Sequence, residues 1–251
     1  MITYDDLTMK LGYTDVQADW YLKMMVQIVI DEDGTVDARK LHEVLEIKSR
    51  FNDWINNRID KYGFVEDVDY VTYYNFSTSK FTQDEMKSMS LQQRSRHGIT
   101  TEYKLTSNMA KELSMIENNE QGREFRKYFI MAEEIANNFS QWNVTRNDAK
   151  GKKITMDRAW IEQTGVTNTS RLQEAVYCVV FGLKSYEIKK ILDIPHEQPV
   201  LDYIEEKYNS AICFVYEKFT TGIEFGITDL NMLVDKVSIQ FDKEFGGVIE
   251  L

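Results

Sequence analysis

The sequence predicts a mostly helical α+β protein: a winged helix–turn–helix-like α+β domain followed by an all-α domain. Three observations predict it. Two helical patterns stand back to back at about 38–47 and 50–62, as in a compact helix–turn–helix unit. Two runs rich in β-branched and aromatic residues follow, DYVTYYNF (69–76) and TEYKL (101–105), and read as the strands of a wing-like hairpin. Beyond residue 170 apolar residues recur at helical spacing.

Taken in order, residues 1–25 are a polar lead-in dotted with aromatics, helical in part. VQIVI (26–30) reads as a short strand and DEDG (31–34) as a turn. The ligand spacing and terminal Glu of a calcium loop are missing from that turn. Asp37 is placed to cap the helix carrying Leu41, Val44, Leu45 and Ile47, and Ser49 the next one, which Gly63 ends. The polar segment 77–100, with Arg94, Arg96 and His97 near its end, reads as a long loop of the functional or disordered kind. Thr106 or Ser107 caps a helix with Met109, Leu113 and Ile116. Asn118–Asn119 interrupts it, and a further helix runs from about Glu120 to Asn138. NVTRNDAKGKK (143–153) lacks large apolar residues and reads as a linker, dividing the chain into domains 1–142 and 154–251. Helices follow at about 170–181, 185–192, 199–220 and 228–245, punctuated by Gly182 and Pro195.

The formal net charge is −11, with two basic against seven acidic side chains in 1–36, 15 against 17 in 37–140 and 13 against 17 in 141–251. That balance argues against a general nucleic-acid coat. Cys178 and Cys213 lie in apolar surroundings and are expected to be buried free thiols. Met1–Gly12 is acidic and polar, unlike a signal peptide, and no apolar run approaches the ~20 residues needed to span a bilayer, so a cytoplasmic protein is expected.

Little suggests catalysis. His42, His97 and His196 are scattered, the cysteines have no ligand-spaced neighbours, and no phosphate loop or hydrolase motif is present. No enzyme activity, metal or cofactor is expected.

The sharper signal is RFNDWINNRIDKYG (50–63). Phe51, Ile55, Ile59 and Tyr62 cluster on one side of the helix. Trp54 borders that arc, Arg58 falls between Trp54 and Phe51, and Arg50 and Lys61 lie just beyond. Two readings compete. Trp54 is core and Arg58 covers its ring while reaching a carboxylate or water; or Arg50, Trp54, Arg58 and Lys61 form an exposed ridge for a partner or for phosphates. Arg123, Arg126 and Lys127 make a second basic face, which Glu120 and Glu124 could equally neutralise. Arg94 and Arg96 could sit at a wing tip near DNA, or be soluble loop charges.

VDARKLHEVLEIKSRFNDWINNRIDKYGFVEDVDYV (36–71) resembles the opening block of the AntA/AntB phage antirepressor family, with its ARELH-like start, FxxWI helix and YGFxEGxDY turn. EYKLTSNMAKELSMIENNEQGREFRKYFIMAEE (102–134) resembles its second block, with a Tyr-x-Leu-Thr strand, a MAKEL helix and a GRxxRxYF helix. The family often has Gly where Asp67 stands, and a shorter inter-strand loop. SRLQEAVYCVVFGLKSYEIKKIL (170–192) is more loosely similar to antirepressor tails. The resemblance implies a prophage regulator of the bacterial cytoplasm that binds and inactivates a phage repressor, turning lysogeny toward lysis, and that self-associates as a homo-oligomer. The alternative is a DNA-binding regulator using the winged helix–turn–helix-like block. The stripe Leu230, Leu233, Val234, Val237 and Phe241 could serve self-association or a monomer's own core.

Overall fold

A computed structural model describes residues 2–27, 30–75 and 81–251. The chain divides into two compact units, Asp19–Ala132 and Met1–Ala18 with Glu133–Leu251.

In the first unit, which takes helix α1 (Asp15–Met25) from Asp19 on, strand β1 (Thr35–Asp37) is followed by helices α2 (Ala38–Val44) and α3 (Phe51–Tyr62) and strand β2 (Tyr70–Asn75). Helices α4 (Gln83–Ser88) and α5 (Leu91–Arg96), strand β3 (Thr100–Thr106) and helix α6 (Ser107–Ile116) follow. The sheet is antiparallel with β3 in the middle: Leu105 stands between Val36 and Tyr70, and Thr72 faces Tyr103. The expected hairpin is therefore part of a three-stranded sheet rather than a free two-stranded wing. The strand expected at 26–30 does not form at its described ends: Val26 and Gln27 make a turn, and residues 28–29 lie outside the described residues. The long segment between β2 and β3 is not a plain loop. Thr82 with Glu85, and Ser90 with Gln93, build complete capping boxes that start α4 and α5.

Caps explain the helix limits. The Asp37 side chain accepts hydrogen bonds from the amides of Arg39 and Lys40, and Thr106 accepts one from Met109. Arg50, not Ser49, is the residue that precedes α3, and it lends no side-chain cap. Gly63 closes α3 at φ 73°, the left-handed conformation that glycine adopts without strain. Beneath the sheet, Val36, Leu41, Leu45, Phe51, Trp54, Ile55, Leu105, Met109, Leu113 and Phe125 form one core. Each large side chain fully buried there contributes about 1.5–3 kcal/mol.

Helix α7 runs unbroken from Glu120 to Thr164, so the expected linker at 143–153 is helical. The boundary between units falls instead after Ala132, and residues 1–18 group with the C-terminal unit. Within that unit Trp142, Ala149 and Met156, spaced by seven, are buried. Helices α8 (Ser170–Phe181), α9 (Ser185–Ile191), α10 (Glu206–Glu224) and α11 (Leu230–Phe245) complete it, with a 3-10 turn at Val200–Asp202. Its core holds Val176, Val180, Ile212, Val215, Tyr216, Phe219, Leu233, Val237 and Phe241. The α11 stripe is thus spent on the monomer's own core. Both cysteines are free thiols, Cys213 buried and Cys178 half-buried.

Candidate functional site

The α3 ridge divides between core and solvent. Trp54 is 2% exposed, packed beside Phe51, with the His42 ring 5.2 Å away. Its indole Nε1 donates to Glu117 Oε1 at 2.8 Å. One turn on, Arg58 grips the same carboxylate with two donors, Nε to Oε1 at 2.6 Å and Nη2 to Oε2 at 3.0 Å, and Nη1 donates to Asn57. The i, i+4 spacing thus aims an indole and a guanidinium at one acceptor, 59 residues from Arg58 in sequence. Burial alone would push the Glu117 carboxyl up; the hydrogen bonds from Arg58 and Trp54 and the Arg58 charge outweigh it and hold the group below the ordinary 4.5. The Glu117 hydrogen bond in turn raises the Arg58 guanidinium above its ordinary value, against the opposing effect of burial. Arg50 and Lys61 are exposed, and the outward face between them carries Asn52, Asp53, Asn56, Asn57 and Asp60.

Glu117 is held from a third side. Its backbone carbonyl, and that of Met115, accept hydrogen bonds from Arg126 Nη1 at 2.8 and 2.7 Å. Arg126 therefore ties α7 to the carbonyls at the end of α6. Asn119 fastens the same turn, donating to the Leu45 carbonyl at 2.7 Å and accepting from the Gly122 amide at 2.8 Å. A Cβ at Gly122 would overlap the Glu117 carbonyl oxygen, so only glycine lets the two segments approach this closely. Of the second basic face, Arg123 is exposed, Lys127 pairs with Glu124 at 2.5 Å, and Arg126 points inward. Glu124 also accepts from the Trp20 indole at 3.1 Å.

Near the end of the inter-strand segment, Arg94 lies over the Tyr74 ring at 4.8 Å and donates to the Met89 carbonyl. Arg96 and His97 are exposed. Sequence reasoning missed two charged partners. Glu117 is one, and the other is Glu102, 9% exposed, which takes Arg39 through two hydrogen bonds of 2.8 and 2.9 Å. Arg39 also covers the Phe51 ring at 4.2 Å. Alternation along β3 sets Glu102 on the face opposite Tyr103 and Leu105, which pack in the core, so strand periodicity carried no signal for its burial. In the acidic turn, Asp33 and Asp31 face Lys104 at 2.9 and 3.7 Å.

Among the described residues, no three or more His, Cys, Asp or Glu side chains are grouped to hold a metal ion, and no helix is long and apolar enough to cross a membrane.

Asp67, where the family often has glycine, sits at φ 65°, a conformation that favours glycine. The glycine and second arginine of the GRxxRxYF pattern, Gly122 and Arg126, both meet Glu117. No curated protein matches the chain. Residues 36–119 match the model of the AntA/AntB antirepressor family, over about a third of the 251 residues.

Proposed function

We propose that the protein is a phage antirepressor that binds and inactivates a phage repressor by protein–protein interaction, promoting lytic induction from within the bacterial cytoplasm. The observation that carries this reading is the match of residues 36–119 to the AntA/AntB antirepressor family. The electrostatics support a protein partner over DNA. Trp54, Arg58 and Arg126 are occupied by internal hydrogen bonds, and the outward face of α3 is lined by Asn and Asp, which repel phosphate or leave it unneutralised. A net charge of −11 suits capture of a basic protein surface. The action is binding alone, without a chemical step or cofactor.

Two experiments on purified full-length protein separate the readings. Co-expression with the repressor of the same phage should yield a stable complex. A mobility-shift series on operator DNA should show no shift by the antirepressor alone at any salt concentration. A specific shift with steep salt dependence and no complex with the repressor would establish the DNA-binding alternative instead.

A further inference from the structure

Strand β2 lies at an edge of the sheet, with β3 on one side of it. Its sequence, YVTYYN (70–75), has no charge, proline or glycine and is rich in aromatic and β-branched residues. An open edge of that composition is a template for a further strand. In an antiparallel pair the backbone groups of successive residues point to opposite sides, so Tyr70, Thr72 and Tyr74 share one direction. That direction is outward, and at Tyr74 both groups are taken. The Tyr74 amide donates to Gln83 Oε1 at 2.9 Å, and the Tyr74 carbonyl accepts from Gln83 Nε2 at 2.8 Å. The Gln83 side chain thus meets the edge as the peptide group of a neighbouring strand would. At the other end the Tyr70 carbonyl accepts from the Asp67 amide at 2.8 Å, within the turn that leads into the strand. Between them, nothing among the described residues meets the outward groups of Thr72. The opposite edge of the sheet is only three residues long, and there the Thr35 carbonyl accepts from the Asp31 amide at 2.7 Å.

We infer that Gln83 is a plug, an autoinhibitory contact that closes the outer edge of β2 against addition of an extended strand. The strand it excludes is β2 of a second copy, because identical uncharged segments stack in register. This is aggregation through the edge, separate from any ordered oligomer. The plug is held in place by its own helix. Gln83 is the first residue of α4, Thr82 and Glu85 fix that helix start by reciprocal capping, and Met86 is fully buried. Gln83 itself is exposed, so burial does not set its position.

Gln83→Ala leaves the capping box and Met86 in place and removes the plug. Exchange of single amides, read by NMR on the full chain, should become about tenfold faster at Tyr74 and stay unchanged at Tyr73, whose backbone faces β3. Under agitation the variant should turn thioflavin T-positive several-fold sooner than wild type. Adding Val71→Glu to Gln83→Ala should restore the wild-type lag, because Val71 is 51% exposed on that strand and a charge there breaks the segment. The Tyr74 amide of this double variant should still exchange fast. An unchanged Tyr74 amide in Gln83→Ala, a lag equal to that of wild type, or a double variant that aggregates as fast as Gln83→Ala would overturn the plug.

Discussion

Arg58→Ala tests what the α3 arginine does. The substitution removes two hydrogen bonds to Glu117 and one to Asn57, and leaves a carboxylate that is 5% exposed with only the Trp54 indole to donate to it. Breaking a fully buried pair costs about 3–5 kcal/mol. The Arg58 side chain is 22% exposed, so water recovers part of the loss; the expected cost is about 2–3 kcal/mol, a large share of a typical domain's stability. Hydrogen–deuterium exchange of full-length protein reads this locally. Peptides covering α3 and α6 should exchange about 30- to 150-fold faster, since 1.4 kcal/mol is a factor of ten. Repressor binding per folded molecule should stay intact. Exchange that rises less than about threefold, together with lost binding, would refute the reasoning and return Arg58 to a partner-binding ridge.

Three further outcomes follow from the same node. Gly122→Ala should destabilise by about 1–3 kcal/mol through overlap with the Glu117 carbonyl, the opposite of the gain helix propensity alone gives, and a melting curve decides the sign. Arg126→Ala should cost about 1–2 kcal/mol by freeing two carbonyls at the end of α6, again read by melting temperature. Glu117 holds its proton less tightly folded than unfolded, so its stabilising effect is full above its ordinary 4.5 and fades as pH falls through the lower folded value. Glu117→Gln should therefore be less stable than wild type at pH 7 and show a shallower loss in acid; an unchanged acid profile would contradict the assignment.

Much of the first unit was legible because its signals are local. Asp37 and Thr106 are capping residues directly before apolar helical patterns, and Gly63 is a glycine directly after one. Val26 and Gln27 form a turn where a strand was expected, since a β-branched run looks the same whether or not a partner strand exists; β1 is only three residues and owes its place to pairing with β3. The linker at 143–153 was misread because its buried residue is Ala149, too small to register as core beside Lys, Asn and Asp. At the site, the spacing of Trp54 and Arg58 revealed that they share a ridge, and one of the two readings had Arg58 reaching a carboxylate. Which carboxylate was not legible, because Glu117 sits in a turn a whole sheet away and its inward direction depends on Gly122 and Asn119. The α11 stripe shows the converse. A periodic apolar face says that something covers it, and only the packing of α8 and α10 shows that the cover is the chain itself.

The central claim is capture of a repressor, and its most direct test is displacement. Labelled operator DNA is saturated with the phage's own repressor, and the purified protein is titrated in while fluorescence anisotropy is followed. The expected result is a stoichiometric fall to the value of free DNA, with no signal when the protein is added to DNA alone. Anisotropy that stays at the repressor-bound value, or rises because the protein itself occupies the operator, would contradict the account.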